Sequence, residues 1–260
     1  MPWLSFSLLM FIPWLATWGG SMLGASMRLE GEDKQAAFLG FAGGIMVAAS
    51  IWSLIVPAFN AITGWAGALT NTAGFVLGCL GMLLLDRLLP HQHPTEESPE
   101  GRPSHLSRPL LLVMAVALHN IPEGLALGVV IAATLRQGLP PLAAAVFGLG
   151  LALQNFPEGM AVVVPLRESG MPRGRCIRFG TLASFAEPVA ALAGLGLSFG
   201  LVGLGGAALA LPLSIAAGAM MFIVVEELIP ASQAGHTGHA PTYGFLIGFW
   251  AMAVMGILAA

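Results

Sequence analysis

The chain has 260 residues, of which 57% are hydrophobic and 9% charged, with a mean hydropathy of +0.84 and a formal net charge of −3. Soluble domains carry about 25% charged residues, so this composition excludes an ordinary soluble protein and predicts an all-α, polytopic membrane protein. The sequence has no basic patch, so we expect the lipid bilayer rather than a nucleic acid as its surroundings.

Apolar runs of about 20 residues predict eight transmembrane helices that form a single domain over residues 1–260. The first run lacks the basic segment and the small-residue cleavage site of a signal peptide, so we expect it to remain in the protein as a span. The predicted spans are 4–26, 36–58, 66–89, 109–134, 140–166, 177–200, 204–230 and 241–259.

The Lys and Arg residues predict the orientation of these spans. If all eight cross the membrane, every Lys and Arg except Arg136 follows span one, three or five and lies on one side. Positive residues near span ends accumulate on the cytoplasmic side. We therefore expect both termini to be extracytoplasmic, in a multi-pass protein of the inner membrane.

The segment of about residues 90–108 is rich in proline, glutamate and histidine, which predicts a flexible cytoplasmic loop. Histidines in such a loop either capture metal ions transiently or are incidental residues of a solvated linker, and the pattern leaves both interpretations open. The histidines concerned are His91, His93 and His105 here, and His236 and His239 in the last cytoplasmic loop.

Spans two and seven contain similar sequences. Gly44-Ile-Met46 followed by Ser53-Leu-Ile-Val-Pro57 resembles Gly218-Ala-Met220 followed by Glu227-Leu-Ile-Pro230, with a one-residue slip at the proline. The two spans run in opposite directions under the predicted topology. The match therefore indicates an inverted repeat, unless these common residues match by chance.

Spans four and five carry two copies of one polar pattern, residues 119–124 and residues 154–159. Residues three and four apart share a helix face, and a short loop makes the two spans antiparallel neighbours, so their polar faces can converge. Carboxylates in hydrocarbon need partners, and a kinked helix pair with self-satisfied amides would leave both glutamates without a cation. The pattern therefore predicts a divalent metal site from His119, Asn120 and Glu123 and from Gln154, Asn155 and Glu158.

The ligand types favour borderline divalent ions, because imidazole suits zinc and its neighbours and the pattern contains no thiolate for copper(I). One mixed site would use His119, Glu123, Gln154 and Glu158, and the two asparagines with the second carboxylate oxygens would make an adjacent one. Glu187, beside a proline in span six, is a further ligand for the second ion. Glu226 and Glu227, near the end of span seven, either relay metal outward or extend their charges to the interface.

These residues resemble the ZIP family of zinc and iron-related transporters, and within it the bacterial GufA-type branch. The resemblance lies in the His-Asn-x-Pro-Glu-Gly pattern and its second copy, Ala186-Glu-Pro188, the stretch 44–57 and Glu226-Glu-Leu-Ile-Pro230. It implies eight helices in a three-two-three arrangement with inverted repeats, whose two central helices hold a binuclear metal centre. It also implies that Zn²⁺ is the main substrate, that Cd²⁺ and some Fe²⁺ or Mn²⁺ are carried too, and that transport runs into the cytoplasm.

By matching positions, the resemblance assigns one ion to His119, Glu123, Gln154 and Glu158. It assigns the second ion to Asn120, Glu123, Asn155, Glu158 and Glu187. Many members have His where Gln154 stands, and some have Asp where Asn155 stands. Both departures lower the basicity or charge of the ligands.

Other functions are compatible with a metal site in a membrane. An intramembrane metallohydrolase is one alternative, although the His-Glu-x-x-His arrangement of such enzymes is absent. A metal sensor that binds ions without conducting them is another, and only ion flux separates it from a transporter. We expect a transporter rather than an enzyme, working by alternating access or through a channel-like path. The glycine-rich helices are compatible with a homodimer.

Overall fold

The structure is a computed structural model that describes residues 8–26, 32–92, 98–136, 138–168, 170–235 and 238–259. Apart from an isolated bridge between His91 and Glu100, the regular structure of these residues is helical. The described residues contain eight helices, three of them made of shorter segments in series, and a short 3₁₀ helix at Val202–Leu204. The eight helices are α1 (Ile12–Gly24), α2 (Glu32–Ala49, Ser50–Ile55 and Val56–Ala61), α3 (Gly64–Leu88), α4 (Arg108–Arg136), α5 (Pro141–Glu168), α6 (Arg173–Ser184 and Ala186–Gly200), α7 (Ala207–Ile223, Val224–Leu228 and Ile229–Gln233) and α8 (Ala240–Ala259).

Seven of these helices, α2 to α8, are 20 to 29 residues long and apolar enough to cross a membrane. The first helix, α1, spans 13 residues, and residues 1–7 before it lie outside the described part of the chain. The prediction of an all-α, multi-pass membrane protein is confirmed, and the ends of the helices lie within a few residues of the predicted ones for α2 to α8.

Four helix pairs have the most extensive contacts: α1 with α5, α2 with α8, α3 with α7, and α4 with α6. The two helices of each pair run parallel. In the fourth pair, for example, Gly124 packs on Glu187 and Gly128 packs one turn further along on Ala191. The four pairs are related by an exchange of α1, α2 and α3 with α6, α7 and α8, and of α4 with α5. This exchange converts the α1–α5 pair into the α4–α6 pair, and the α2–α8 pair into the α3–α7 pair. This pairing has the symmetry of a three-two-three inverted repeat.

Glycines four residues apart explain why these pairs are so close. A Cβ on Gly124 would overlap the carbonyl oxygen of Glu187, and a Cβ on Gly128 would overlap that of Ala191. Without a hydrophobic driving force in lipid, helices associate through such close backbone packing. Pairs with the same spacing and the same intramolecular role are Gly20 and Gly24, Gly40 and Gly44, Gly74 and Gly78, and Gly244 and Gly248. These glycines are used within one chain, so they give no argument for a homodimer.

The pairs combine into two bundles. The central bundle is α1, α4, α5 and α6, and the flanking bundle is α2, α3, α7 and α8. The two bundles meet mainly where α2 packs on α5 and where α7 packs on α4. Large apolar side chains such as Trp65, Leu84, Ile247 and Trp250 are exposed on α3 and α8. These outer faces are suited to contact with lipid.

Helices α2 and α7 share a π-helical segment just before a proline. Pro57 and Pro230 have no N–H for the carbonyl four residues earlier, and the residue before each proline donates instead to the carbonyl five residues back. The π segment of α2 has 6 residues and that of α7 has 5. This extra residue accounts for the one-residue slip between the two similar sequences.

Two glycines of α6 provide a test of the parallel pairing. Gly194→Ala would place its Cβ on the carbonyl oxygen of Leu125 in α4, whereas a Cβ at Gly196 meets no atom within 4 Å. We expect Gly194→Ala to destabilise the protein by about 1–3 kcal/mol through overpacking. Gly196→Ala, the matched control, should leave stability unchanged or raise it, since alanine favours a helix. Thermal unfolding in detergent measures both, and equal effects would contradict the pairing.

Candidate metal centre

The seven residues predicted to bind metal lie on three helices of the central bundle. All are at most 7% exposed. Helix α6 is interrupted at Phe185, because Pro188 has no N–H to donate to the carbonyl of Ser184, and Glu187 lies in the first turn after the interruption. The seven side chains are His119, Asn120 and Glu123 on α4, Gln154, Asn155 and Glu158 on α5, and Glu187 on α6.

Four of these side chains surround one small volume between α4 and α5. The Nε2 atom of His119 lies 3.8 Å from Oε1 of Glu123 and 3.6 Å from Oε1 of Glu158. Ligand atoms from these three residues all lie within 4.8 Å of one another. Nε2 of Gln154 donates a 2.6 Å hydrogen bond to Oε1 of Glu123. Ligands about 2.0–2.2 Å from one ion are about 3.5 Å apart, so the group has the dimensions of a metal site.

A second group lies beside the first and is centred on Glu187. Nδ2 of Asn155 donates a 2.8 Å hydrogen bond to Oε2 of Glu187. Nδ2 of Asn120 donates at 2.7 Å to the carbonyl oxygen of Val116, one turn earlier in α4. Both amides therefore use their N–H groups within the protein, which leaves their carbonyl oxygens available to a cation.

Each of the seven side chains has a buried acceptor atom that finds no hydrogen-bond donor among the described residues. Such atoms are costly in a protein interior and need an explanation. One is an imidazole nitrogen and six are carboxylate or amide oxygens, all electron-pair donors to a divalent ion. The atoms are Nε2 of His119, Oδ1 of Asn120, Oε2 of Glu123, Oε1 of Gln154, Oδ1 of Asn155, Oε1 of Glu158 and Oε1 of Glu187.

Glu227 reaches this centre from the flanking bundle. Its Oε2 lies 3.4 Å from Nδ1 of His119, on the opposite side of the ring from Glu123 and Glu158. Its neighbour Glu226 is exposed. The sequence indicates only that both glutamates lie near the end of a span. The two glutamates differ because the π segment before Pro230 alters which side chain of α7 faces α4.

The predicted loop histidines have different environments. His91 follows α3 and is fully buried beside Asp86. His239 is exposed just before α8, with its ring 6.1 Å from that of Tyr243. His93 and His236 lie outside the described residues, as does the middle of the loop predicted to be flexible, residues 93–97.

Comparison with known proteins agrees with this arrangement. The sequence model of the ZIP zinc transporter family matches residues 91–256. Zinc transporter ZIPB of Bordetella bronchiseptica is 38% identical over 242 residues, which cover 90% of this chain and 74% of that protein. Zinc transporter ZupT of Corynebacterium efficiens is 35% identical over 98% of this chain and 96% of its own length. Zinc transporter GufA of Myxococcus xanthus is 34% identical over 86% of this chain and 85% of its own length.

The family match covers more than half of the chain, and the relatives align over nearly all of it. Their names are those of transporters rather than enzymes, which confirms that expectation and gives no support to an intramembrane metallohydrolase. The doubled motif of α4 and α5 lies inside the matched region. The chain therefore belongs to the ZIP zinc transporter family.

Proposed function

We propose that this protein carries Zn²⁺ across the inner membrane into the cytoplasm through the centre between α4 and α5. The observation that carries the proposal is the set of seven buried acceptor atoms without donors, all belonging to the residues that the doubled motif predicts as ligands. The relatives' names identify those proteins as zinc transporters, and the family match covers both copies of the motif in this chain.

The first ion is held by His119, Glu123, Gln154 and Glu158. One nitrogen and several oxygens are a suitable set for zinc, without the thiolates that make a closed structural site permanent. A transported ion must also leave, so moderate affinity suits this role. The same donors accept Cd²⁺, and to a lesser degree Fe²⁺ or Mn²⁺.

The second ion is held by Asn120, Asn155 and Glu187, with Glu123 and Glu158 bridging the two positions. Supporting this arrangement, each glutamate has a buried oxygen without a donor, and the contact between Asn155 and Glu187 brings α5 and α6 together beside the first position. Without metal, the three carboxylates would carry a charge of −3 in a medium of low polarity, so bound cations are favoured there.

His119 links the centre to the release path. With its proton on Nδ1, the ring donates to Glu227 and directs the Nε2 lone pair toward the ion, as ligating histidines commonly do. Glu227 and the exposed Glu226 are then the next acidic groups for a departing ion. In this proposal the cytoplasmic side contains the loop histidines His91, His93, His236 and His239. Both termini lie on the extracytoplasmic side.

Transport proceeds by alternating access. The central bundle carries all seven ligands and moves against the flanking bundle, which contributes Glu227 from α7. The symmetry of the helix pairs supports two equivalent arrangements, since inverted repeats allow one bundle to present the same site to either side. The contacts between α2 and α5 and between α4 and α7 are those that must rearrange.

Uptake of zinc by bacterial cells that lack their own zinc importers tests the proposal. Cells expressing the protein should accumulate at least about tenfold more zinc than cells with an empty vector, and excess Cd²⁺ should compete with zinc because its ligand preferences are similar. A protein present in the membrane at normal levels that gives no uptake would contradict transport and favour a sensor. Zinc uptake that excess Cd²⁺ leaves unchanged would contradict the proposed selectivity.

A further inference from the structure

An apolar groove separates the two bundles on one side of the protein. Helices α1 and α5 of the central bundle form one wall, and helices α2 and α8 of the flanking bundle form the other. Its volume is about 510 Å³, within the range of about 300–1,000 Å³ that is usual for ligand pockets. We refer to it as the interbundle groove, and its larger lining residues are Leu153 and Phe156 on one wall and Phe38, Phe41 and Ile247 on the other.

Two of the close helix pairs build the walls of the interbundle groove. A Cβ on Gly20 of α1 would overlap the carbonyl oxygen of Phe156 in α5. On the other wall, a Cβ on Gly244 of α8 would overlap the carbonyl oxygen of Ala37 in α2. The helices within each wall are therefore in backbone contact, and the groove is the space that remains between one close pair and the other.

The interbundle groove opens to the surroundings of the protein and has apolar walls. Phe38 and Ile247 are 40% and 63% exposed, whereas Pro157, which also lines the groove, is buried. All ten described residues that line it are apolar. Ile247 belongs as well to the outer face of α8 that is suited to contact with lipid, so the groove continues the lipid-facing surface. A hydrocarbon chain in the groove would supply dispersion contacts that its walls lack when it is empty.

Two exposed residues at one end of the groove are typical of the membrane interface. On α2, Lys34 lies one turn before Phe38 and on the same helix face. On α8, Tyr243 lies one turn before Ile247. Tyrosine is enriched at the level of the lipid headgroups, and lysine extends its charge to the same level. Asp33 is exposed beside Lys34, so this end of the groove carries both charges and does not select an anionic headgroup.

We propose that the interbundle groove binds an acyl chain of a membrane phospholipid, whose headgroup lies at the level of Lys34 and Tyr243. The chain fills the space between the two walls and contacts Phe156, in the turn of α5 that carries Asn155 and Glu158. The bound chain stabilises the present contact between the two bundles. None of the described lining residues is a predicted metal ligand, so the site can be tested apart from transport.

Photo-crosslinking of the purified full-length protein tests the site. The protein is placed in vesicles of phosphatidylcholine with a diazirine in the middle of one acyl chain, and mass spectrometry identifies the labelled residues after irradiation. We expect label on Phe41 and Ala152, which line the groove and are only partly exposed, as well as on the lipid-facing Leu84. A phosphatidylglycerol probe with the same chains should give the same pattern. Glu123→Ala should retain this pattern too, which separates the result from transport.

Ala16→Phe should fill the groove from α1 and remove the label from Phe41 and Ala152, while Leu84 keeps it. Ala152→Phe, a second filling variant, should likewise remove the label from Phe41. Ala73→Phe is the matched control, because Ala73 is exposed on α3 outside the groove, and it should leave the pattern unchanged. The proposed site is wrong if Leu84 is labelled in the wild type without Phe41 and Ala152, or if the control loses their label as Ala16→Phe does. Label in the groove from phosphatidylglycerol alone would also contradict it.

Thermal unfolding in detergent gives a second measure of the bound chain. Added phosphatidylcholine should raise the unfolding temperature of the wild type and of Ala73→Phe, because a ligand that binds only the folded state stabilises it. It should raise that of Ala16→Phe by less. Equal rises in all three proteins would contradict a stabilising chain in the groove.

Discussion

Glu123→Ala or Glu158→Ala should reduce zinc uptake to the level of cells without the protein, a loss of at least about a hundredfold. Both carboxylates lie within 4 Å of Nε2 of His119, and both are buried with an oxygen that no described donor satisfies. Removing one charged partner from a buried ionic site costs about 3 kcal/mol or more. This cost corresponds to a factor above one hundred in the affinity for the ion. Uptake of radioactive zinc by intact cells measures the effect.

The matched control for this experiment is Asp33→Asn, which removes an exposed carboxylate at the start of α2. It should leave uptake unchanged. Each glutamate variant should also elute from a sizing column as the wild type does, since the helix pairs do not depend on these carboxylates. Retained uptake in both glutamate variants would rule out a shared binuclear centre.

Asn155→Asp should strengthen the second ion position, with an affinity for zinc about tenfold higher. Nδ2 of Asn155 now donates to Oε2 of Glu187. An aspartate would place a second anion against Glu187, which is repulsive without metal and attractive to a divalent ion between them. We therefore expect a lower unfolding temperature after metal removal and a larger rise on adding Zn²⁺ than in the wild type.

Asn71→Asp provides the comparison for this effect, because Asn71 is buried on α3 and accepts a hydrogen bond from Ser214 away from the metal centre. This variant should show no additional stabilisation by zinc. Titration calorimetry and thermal unfolding with and without Zn²⁺ measure both variants. If Asn155→Asp has the affinity and stoichiometry of the wild type, Asn155 is not a ligand.

The convergence of polar side chains from α4 and α5 could be predicted from the sequence because the pattern is local. Helical spacing alone places His119 and Glu123 on one face, and a short loop makes the two helices neighbours. The cost of buried carboxylates then indicates a cation. The structure brings His119, Glu123 and Glu158 together as this local pattern implies.

Other features depend on contacts between distant parts of the chain. The approach of Glu227 to His119 requires α7 to lie against α4 and a π segment to turn Glu227 inward, and neither follows from helical periodicity. The parallel pairing of α4 with α6 likewise depends on which helix meets Gly124 and Gly128. Glycine spacing indicates a close contact without naming the partner, so a homodimer and an internal pair are equally compatible with it.

Amino-acid composition alone does not predict the structure of the loop after α3. Its prolines, glutamates and histidines are typical of a solvated linker, but His91 is buried by a backbone bridge to Glu100 and by Asp86 of α3. The signal in the sequence is Gly101, whose positive φ allows the chain to fold back on Leu89. A single glycine in a polar segment is too common to identify such a turn in advance.

Zinc flux into proteoliposomes that contain a fluorescent zinc indicator tests the central claim most directly, with the wild type compared to Glu123→Ala under an imposed pH gradient. The wild type should give saturable flux that the variant lacks. The flux should fall as the zinc-loading side is acidified, because protons compete with metal for His119, Glu123 and Glu158. A well-folded wild-type protein that binds zinc in these vesicles but gives no flux would contradict transport through this site and favour a sensor.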